Sequence, residues 1–147
     1  MARPLAGRLL DYYRPAHPSL EIKHLHEFYR ASTCDSVWIP KISGQGWIVI
    51  TKDGGKDSSK PRLPEVCKRS KITYVVLSPK LGHQKVIIHQ EALDEVMRNI
   101  AAIYQAPPGT GIKLERRVSK GGIKSYGLSV KVGKVWQSLG SFLTALG

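Results

Sequence analysis

The chain has 147 residues, the size of one domain that buries roughly two-thirds of the surface its unfolded form would expose. Its hydrophobic content of 41% against 23% charged residues excludes a disordered polyelectrolyte, and no apolar run reaches the ~18 residues that a membrane span needs. Lys and Arg number 23 against 11 Asp and Glu, a formal net charge of +12, so the partners to expect are polyanions, nucleic acid first, with an acidic protein or simple solubility as the alternatives.

The opening residues, MARPLAGRLLDYY, lack the long apolar stretch and small-residue cleavage site of a secretory signal, so a cytoplasmic protein is expected. Leu5, Leu9, Leu10 and Tyr13 recur at helical spacing, and Arg14-Pro15 with Pro18 ends the pattern. LEIKHL at 20–25 alternates as a short strand would. Asp35 then suits the N-cap of a helix that runs through Trp38 to Gly44, with Pro40 an awkward interior residue. Trp47-Ile48-Val49-Ile50-Thr51 is a continuous apolar and β-branched run, the pattern of a central parallel strand buried on both faces. It stops at a polar loop, residues 52–60, that contains Gly54-Gly55. A short helix from Pro64 to about Ser70 and a second buried strand in Thr73–Leu77 follow. The longest helix is expected over His89–Gln105, with Leu93, Val96, Met97, Ile100, Ile103 and Tyr104 on one face, ended by Pro107-Pro108-Gly109. GIKLERRVSKGGIKSYGLSV predicts a hairpin turning at Lys120-Gly121-Gly122. Alternating helices and strands predict an α/β fold with right-handed crossovers on a mostly parallel sheet, followed by a basic appendage.

Functional groups collect at the carboxyl ends of parallel strands, and this places Asp53 at such an edge. Asp35, opening the helix before that strand, is a candidate for the same edge. Two carboxylates there repel unless a cation lies between them, and hard oxygen ligands suit Mg2+ or Mn2+, which activates water and stabilises a scissile phosphate. The simpler roles are an N-cap for Asp35 and a turn residue for Asp53. No Walker or G-x-G-x-x-G pattern supports phosphate binding by Gly54-Gly55, and His24 and His26 have no obvious third ligand. Cys34 and Cys67, without C-x-x-C spacing, are expected to be reduced thiols. Lys41, Lys52, Lys56, Lys60 and Arg62 surround the acidic edge in sequence and are candidates for phosphate contacts. Arg116, Arg117, Lys120, Lys124, Lys131 and Lys134 extend the basic character, with Tyr126 and Trp136 available for base stacking or for small-core packing.

The stretch HLHEFYRASTCDSVWIPKISGQGWIVITKD, residues 24–53, resembles the PIN-like domains of VapC-type toxins, which carry an acid followed by Trp and Pro on the helix before a strand ending in a Thr-Lys-Asp type of triplet. The resemblance runs from about Ala2 to Tyr104 and implies a Rossmann-like sheet that uses clustered carboxylates to bind Mg2+ or Mn2+ for RNA cleavage. Asp35 and Asp53 match the second and third acidic positions, and Asp57 adds a carboxylate if its loop folds back. PIN-like domains open with a strand ending in a principal metal-binding acid; here Ala2 onward resembles the residues after that acid, so the first strand and its Asp are expected to be missing. With so few carboxylates the cation would be held largely by water, and weak metal binding with little or no activity is expected. The expected division is a PIN-like domain over 1–105 and a basic β-hairpin extension over 106–147. The resemblance further implies RNA as substrate, an antitoxin protein as partner and a homodimer as a candidate assembly. The alternative is a non-catalytic protein that binds nucleic acid or an antitoxin.

Overall fold

A computed structural model describes residues 9–16, 21–25, 29, 33–52 and 63–146. Residues 9–13 are helical, and Leu9 and Tyr13 pack into the core as the amphipathic spacing requires. No strand is present among the described residues of the segment expected at 20–25: residues 21–24 have no regular structure and Leu25 is helical. Among the described residues no strand pairs with this segment, and alternation without a pairing partner does not make a strand.

The regular elements begin with α1 (Asp35–Ile42), β1 (Val49–Thr51), α2 (Leu63–Arg69) and β2 (Tyr74–Leu77). Then come α3 (Pro79–Gly82), α4 (Val86–Arg98), α5 (Ile100–Gln105), β3 (Gly111–Val118), β4 (Lys124–Val132), β5 (Val135–Ser138) and α6 (Leu139–Leu146). The strands form one sheet in the order β1-β2-β3-β4-β5, parallel from β1 to β3 and antiparallel from β3 to β5. The fold is therefore α/β, with a mixed sheet flanked by helices.

Strand pleating sorts the core into two layers. Val75, Leu77, Ile112, Leu114, Leu128 and Val130 face α4, α5 and α6. On the other face, Val49 and Tyr74 pack against Trp38, Ile39, Leu63, Val66 and Cys67 from α1 and α2. The steps from β1 to β2 and from β2 to β3 go in one direction across the sheet, yet their helices lie on opposite faces. The two connections therefore have opposite hand, and only one can have the right-handed sense expected of both. Gly111 pairs with Tyr74 on the α2 face, where a Cβ would run into the Tyr74 hydroxyl and ring, so only glycine admits the buried tyrosine there.

Three further placements differ from the sequence expectation. β1 is at the edge of the sheet rather than its centre, and Ile50 and Thr51 are only half-buried. The long helix is divided at Asn99, whose side-chain amide donates to the Glu95 carbonyl at 2.8 Å while the backbone leaves helical geometry. Residues after 105, expected as an appendage, supply three of the five strands, and β3 pairs directly with β2. The expected boundary thus falls within a shared sheet and a shared core, because the Ile112 and Leu114 side chains are buried against Val75 and Val96. Among the described residues, no helix is long and apolar enough to cross a membrane.

Candidate functional site

Asp35 is the first residue of α1, not its cap. Cys34 occupies the cap position in extended geometry (φ −69°, ψ 147°) without a side-chain capping bond. A carboxylate in this first turn is favoured by the unpaired N–H groups and the helix dipole. Its Oδ1 accepts a hydrogen bond from the Trp38 indole N–H at 2.9 Å, one helical turn later. Trp38 is 5% exposed and wedged among Ile39, Leu63, Val66 and Cys67, so the indole anchors the carboxylate from the core side. The other carboxylate oxygen makes no hydrogen bond among the described residues. The Cys67 thiol is pushed up to about 12 by burial and, secondarily, by the negative charge of Asp35. That charge therefore sits close to α2.

The helices α1 and α2 run side by side with their carboxyl ends together, where the Ser43 hydroxyl donates to the Ser70 carbonyl at 2.6 Å. Asp35 consequently lies toward the opposite end of the layer. β1 ends in Thr51 and Lys52, and Lys52 lies against Gly82, where an added Cβ would approach the Lys52 Cβ at 3.3 Å. β2 ends at Leu77 and is followed by Ser78, whose hydroxyl accepts from the Leu81 N–H at 3.3 Å and caps α3 with Pro79 at its first position. Below it, His89 is 5% exposed and its Nε2 is 3.1 Å from the Leu81 carbonyl oxygen, a structural contact that holds α4 to this edge. Neither Ser78 nor Gly82 nor His89 was expected at this edge. The Ser-Pro pair was the available signal for the first, whereas nothing in the sequence marks a histidine on an apolar helix face as a tether.

Lys41 sits in the last turn of α1, six residues from Asp35 and thus about 9 Å farther along the helix axis. Of the other expected site residues, Asp53, Asp57, Lys56, Lys60 and Arg62 lie outside the described residues, as does His26. His24 is described and lies in an irregular segment. Among the described residues, no group of three His, Cys, Asp or Glu side chains is placed to hold a metal ion. Asp35 contributes one anchored carboxylate, and the described residues alone do not complete a cation site.

A polar cleft of about 450 Å3 between α4 and β4 gathers Glu91, Asp94, Glu95, Arg98, Lys124 and Tyr126. Its groups are largely paired with one another. The Tyr126 hydroxyl donates to Glu91 at 2.7 Å, and Arg98 reaches Glu95 at 2.7 Å. Burial, then the bond to Glu91 and its charge, push the Tyr126 phenol up to about 12. The Tyr126–Glu91 hydrogen bond links sheet to helix across the cleft, and the Arg98–Glu95 pair lies within α4.

The basic residues of the last three strands divide between the two faces. Arg116, paired with Tyr126, and Lys124, paired with Val118, are on the face of α4; Lys113, Arg117 and Lys131 are on the other. Trp136, 46% exposed, stands on that second face opposite Lys131.

No curated protein and no solved structure matches the chain. A family model described as a PIN-like domain matches residues 1–78, which contain α1, β1, α2 and β2 and with them both the Asp35 anchor and the end of β1. That span is more than half of the 147 residues. The chain belongs to the PIN-like domain family, a family generally of nucleases.

Proposed function

We propose that the protein is a metal-dependent ribonuclease whose chemistry takes place at the carboxyl end of β1, where Asp35, Asp53 and Asp57 together hold Mg2+ or Mn2+. The observation that carries this reading is the Asp35 carboxylate: one oxygen is fixed by the buried Trp38 indole and the other has no hydrogen bond among the described residues, within the span matched by the PIN-like family. A hard, preoriented oxygen of this kind suits either cation, and the set depends on Asp53 and Asp57 to complete it. Bound there, the cation would activate water and stabilise the scissile phosphate.

The chain's own residues orient the substrate. Trp38 prevents the Asp35 carboxylate from rotating, and exposed Lys52, its stem against Gly82, offers a phosphate contact at the same strand end. Lys56, Lys60 and Arg62 add positive charge from the following segment, which positions phosphates without reading bases. The toxin type is the finer assignment within this reading. An acidic antitoxin segment is the protein partner that a net charge of +12 suits.

The test is a Mn2+ titration run beside cleavage of a labelled RNA, on the wild-type chain and on Asp35→Asn and Asp53→Asn. Mn2+ should bind weakly to the wild type and at least about tenfold more weakly to either variant, a loss that even outer partners of metal ligands produce, and slow Mn2+-dependent cleavage should disappear with it. Equal Mn2+ binding by all three proteins would show that the proposed site is wrong. RNA binding without cleavage under any metal would assign the chain to the non-catalytic class of nucleic-acid-binding proteins.

A further inference from the structure

The register of β3, β4 and β5 assigns each side chain to one face of the sheet. Ile112, Leu114, Leu128 and Val130 enter the core beneath α4 and α6. Lys113, Glu115, Arg117, Ser129, Lys131 and Trp136 share the opposite face. The α1–α2 layer covers β1 and β2 on that side, and among the described residues no helix continues it over β3, β4 and β5.

Three observations on this open face point to a ligand. Trp136 is 46% exposed, and ammonium groups converge on its ring: Lys113 Nζ is 3.8 Å from the centroid and Lys131 Nζ 6.0 Å. An indole kept in water and ringed by cations is attracted to them through its π-face, and it offers the same face to a base. Glu115 lies 3.2 Å from Lys113 and 3.9 Å from Arg117, which keeps both cations near the sheet surface while leaving an excess of positive charge. Ser129, opposite Lys113 in the register, is 5% exposed, and its hydroxyl has no hydrogen-bond partner among the described residues.

We infer that this open face is a binding track for single-stranded nucleic acid, in which a base stacks on Trp136, Lys113 and Lys131 take the adjoining phosphates, and Arg117 takes one farther along the strand. A phosphate draws the Lys113 ammonium off the indole, and the base takes the ring face that it vacates. Trp136 is level with Lys131 in the register, Lys113 is one step along the same face, and Arg117 is four residues, about 13 Å, beyond Lys113, so the cations run in a line away from the stacking position instead of crowding it. Stacking tolerates every base, whereas a duplex hides its base faces; the track therefore prefers single strands and reads little sequence. An acidic protein segment would use the same cations but would have no need of the exposed indole. The inference rests on the nuclease reading only for the identity of the strand as RNA.

Fluorescence anisotropy of a labelled oligouridylate, its DNA counterpart and a duplex of equal length, all in EDTA, separates binding from any metal-dependent cleavage. The single strands should bind more tightly than the duplex. Trp136→Ala should weaken single-strand binding about tenfold, and Trp136→Tyr, which retains a π-face, should restore most of it. Lys131→Gln should flatten the slope of log affinity against log salt by about 0.7, the contribution of one phosphate contact on a single strand. Arg98→Gln removes an equal charge from α4 on the other side of the sheet and should change neither quantity. Circular dichroism confirms that each variant is folded, and Lys131→Gln stands as an independent arm if Trp136→Ala is not. Wild-type affinity in both Trp136→Ala and Lys131→Gln overturns the inference. So does displacement by polyglutamate with no dependence on Trp136, which assigns the face to an acidic protein. Tight single-strand binding through Trp136 with no cleavage in Mn2+ would remove the nuclease reading and leave this one standing; cleavage with binding indifferent to Trp136 would do the reverse.

Discussion

At the β1–β2 end of the sheet, alternate residues of one strand enter two different cores: Val75 and Leu77 face α4 and α5, while Tyr74 faces α1 and α2. At the β3–β5 end, the same alternation sends Leu114 and Leu128 into a core but presents Lys113, Lys131 and Trp136 to solvent. The first region uses both faces for stability, and the second divides its faces between stability and surface chemistry. A charged, half-polar strand can therefore be central to a fold. β3 is the middle strand of the sheet and carries both a fully buried leucine and a cation on the open face.

The sharpest way to break this comparison is to mutate the two faces of one region. Leu114→Ala should lower stability in urea by about 2–5 kcal/mol, the usual cost of truncating a fully buried leucine. Trp136→Ala should cost no more than about 1 kcal/mol, since its ring is half in water. Equal losses would mean that the open face is packed, and the contrast between the faces would be lost.

Gly111→Ala is next in size. It drives a Cβ into the Tyr74 side chain on the face clad by α2, and overpacking of that kind costs about 1–3 kcal/mol. Denaturation of this variant beside Gly127→Ala sharpens the comparison. Gly127 is on the open face, where a Cβ would come no closer than 3.5 Å to the Arg117 guanidinium, so its substitution should be nearly neutral.

A third contrast is in alkaline pH. Burial, and then the Asp35 charge, raise the Cys67 thiol from 9.0 to about 12; burial, and then Cys67, raise the Tyr74 phenol from 10.0 to about 12. Between these values the unfolded chain has released protons that the folded chain keeps. The stabilisation from both groups is therefore complete below about pH 9 and is lost as pH rises toward about 12. Melting temperature should fall across that window, and Cys67→Ala should make the fall shallower. At neutral pH iodoacetamide should label exposed Cys34 and leave buried Cys67 untouched until the chain unfolds.

The smallest structural effect belongs to Asp35→Asn. The amide oxygen still accepts the Trp38 indole N–H, so thermal stability should change by no more than about 0.5 kcal/mol. A large loss would recast Asp35 as a structural residue and weaken its claim to the metal.

Much of the local structure was legible. The continuous apolar runs around Val49–Thr51 and Tyr74–Leu77 form strands, the helix near Pro64 forms as α2, and the hairpin turns at the Lys120-Gly121-Gly122 segment. Strand order was not legible, because periodicity reports the burial of a segment and not its neighbours. Val49 and Ile50 therefore suggested a central strand although β1 is at the edge. In β3, Lys113, Glu115 and Arg117 suggested a surface appendage, while Ile112 and Leu114 between them fill the core. The apolar stripe continues from Val96 through Ile100 to Ile103 and so concealed the break at Asn99, which is a hydrogen-bonding event without a change of period. Asp35 was legible as a residue that opens a helix, although it is the first residue of α1 and not its cap. Its anchor was missed, although an acid and a tryptophan three residues apart on a helix share a face.

We propose chemistry at the end of β1 and strand binding on the open face as separate functions of one sheet. The most direct test is a single labelled RNA followed for both affinity in EDTA and cleavage at saturating protein in Mn2+, across wild type, Asp35→Asn, Asp53→Asn and Trp136→Ala. The two aspartate variants should bind as the wild type does and fail to cleave, while Trp136→Ala should bind about tenfold more weakly. Aspartate variants that cleave at the wild-type rate would contradict the account.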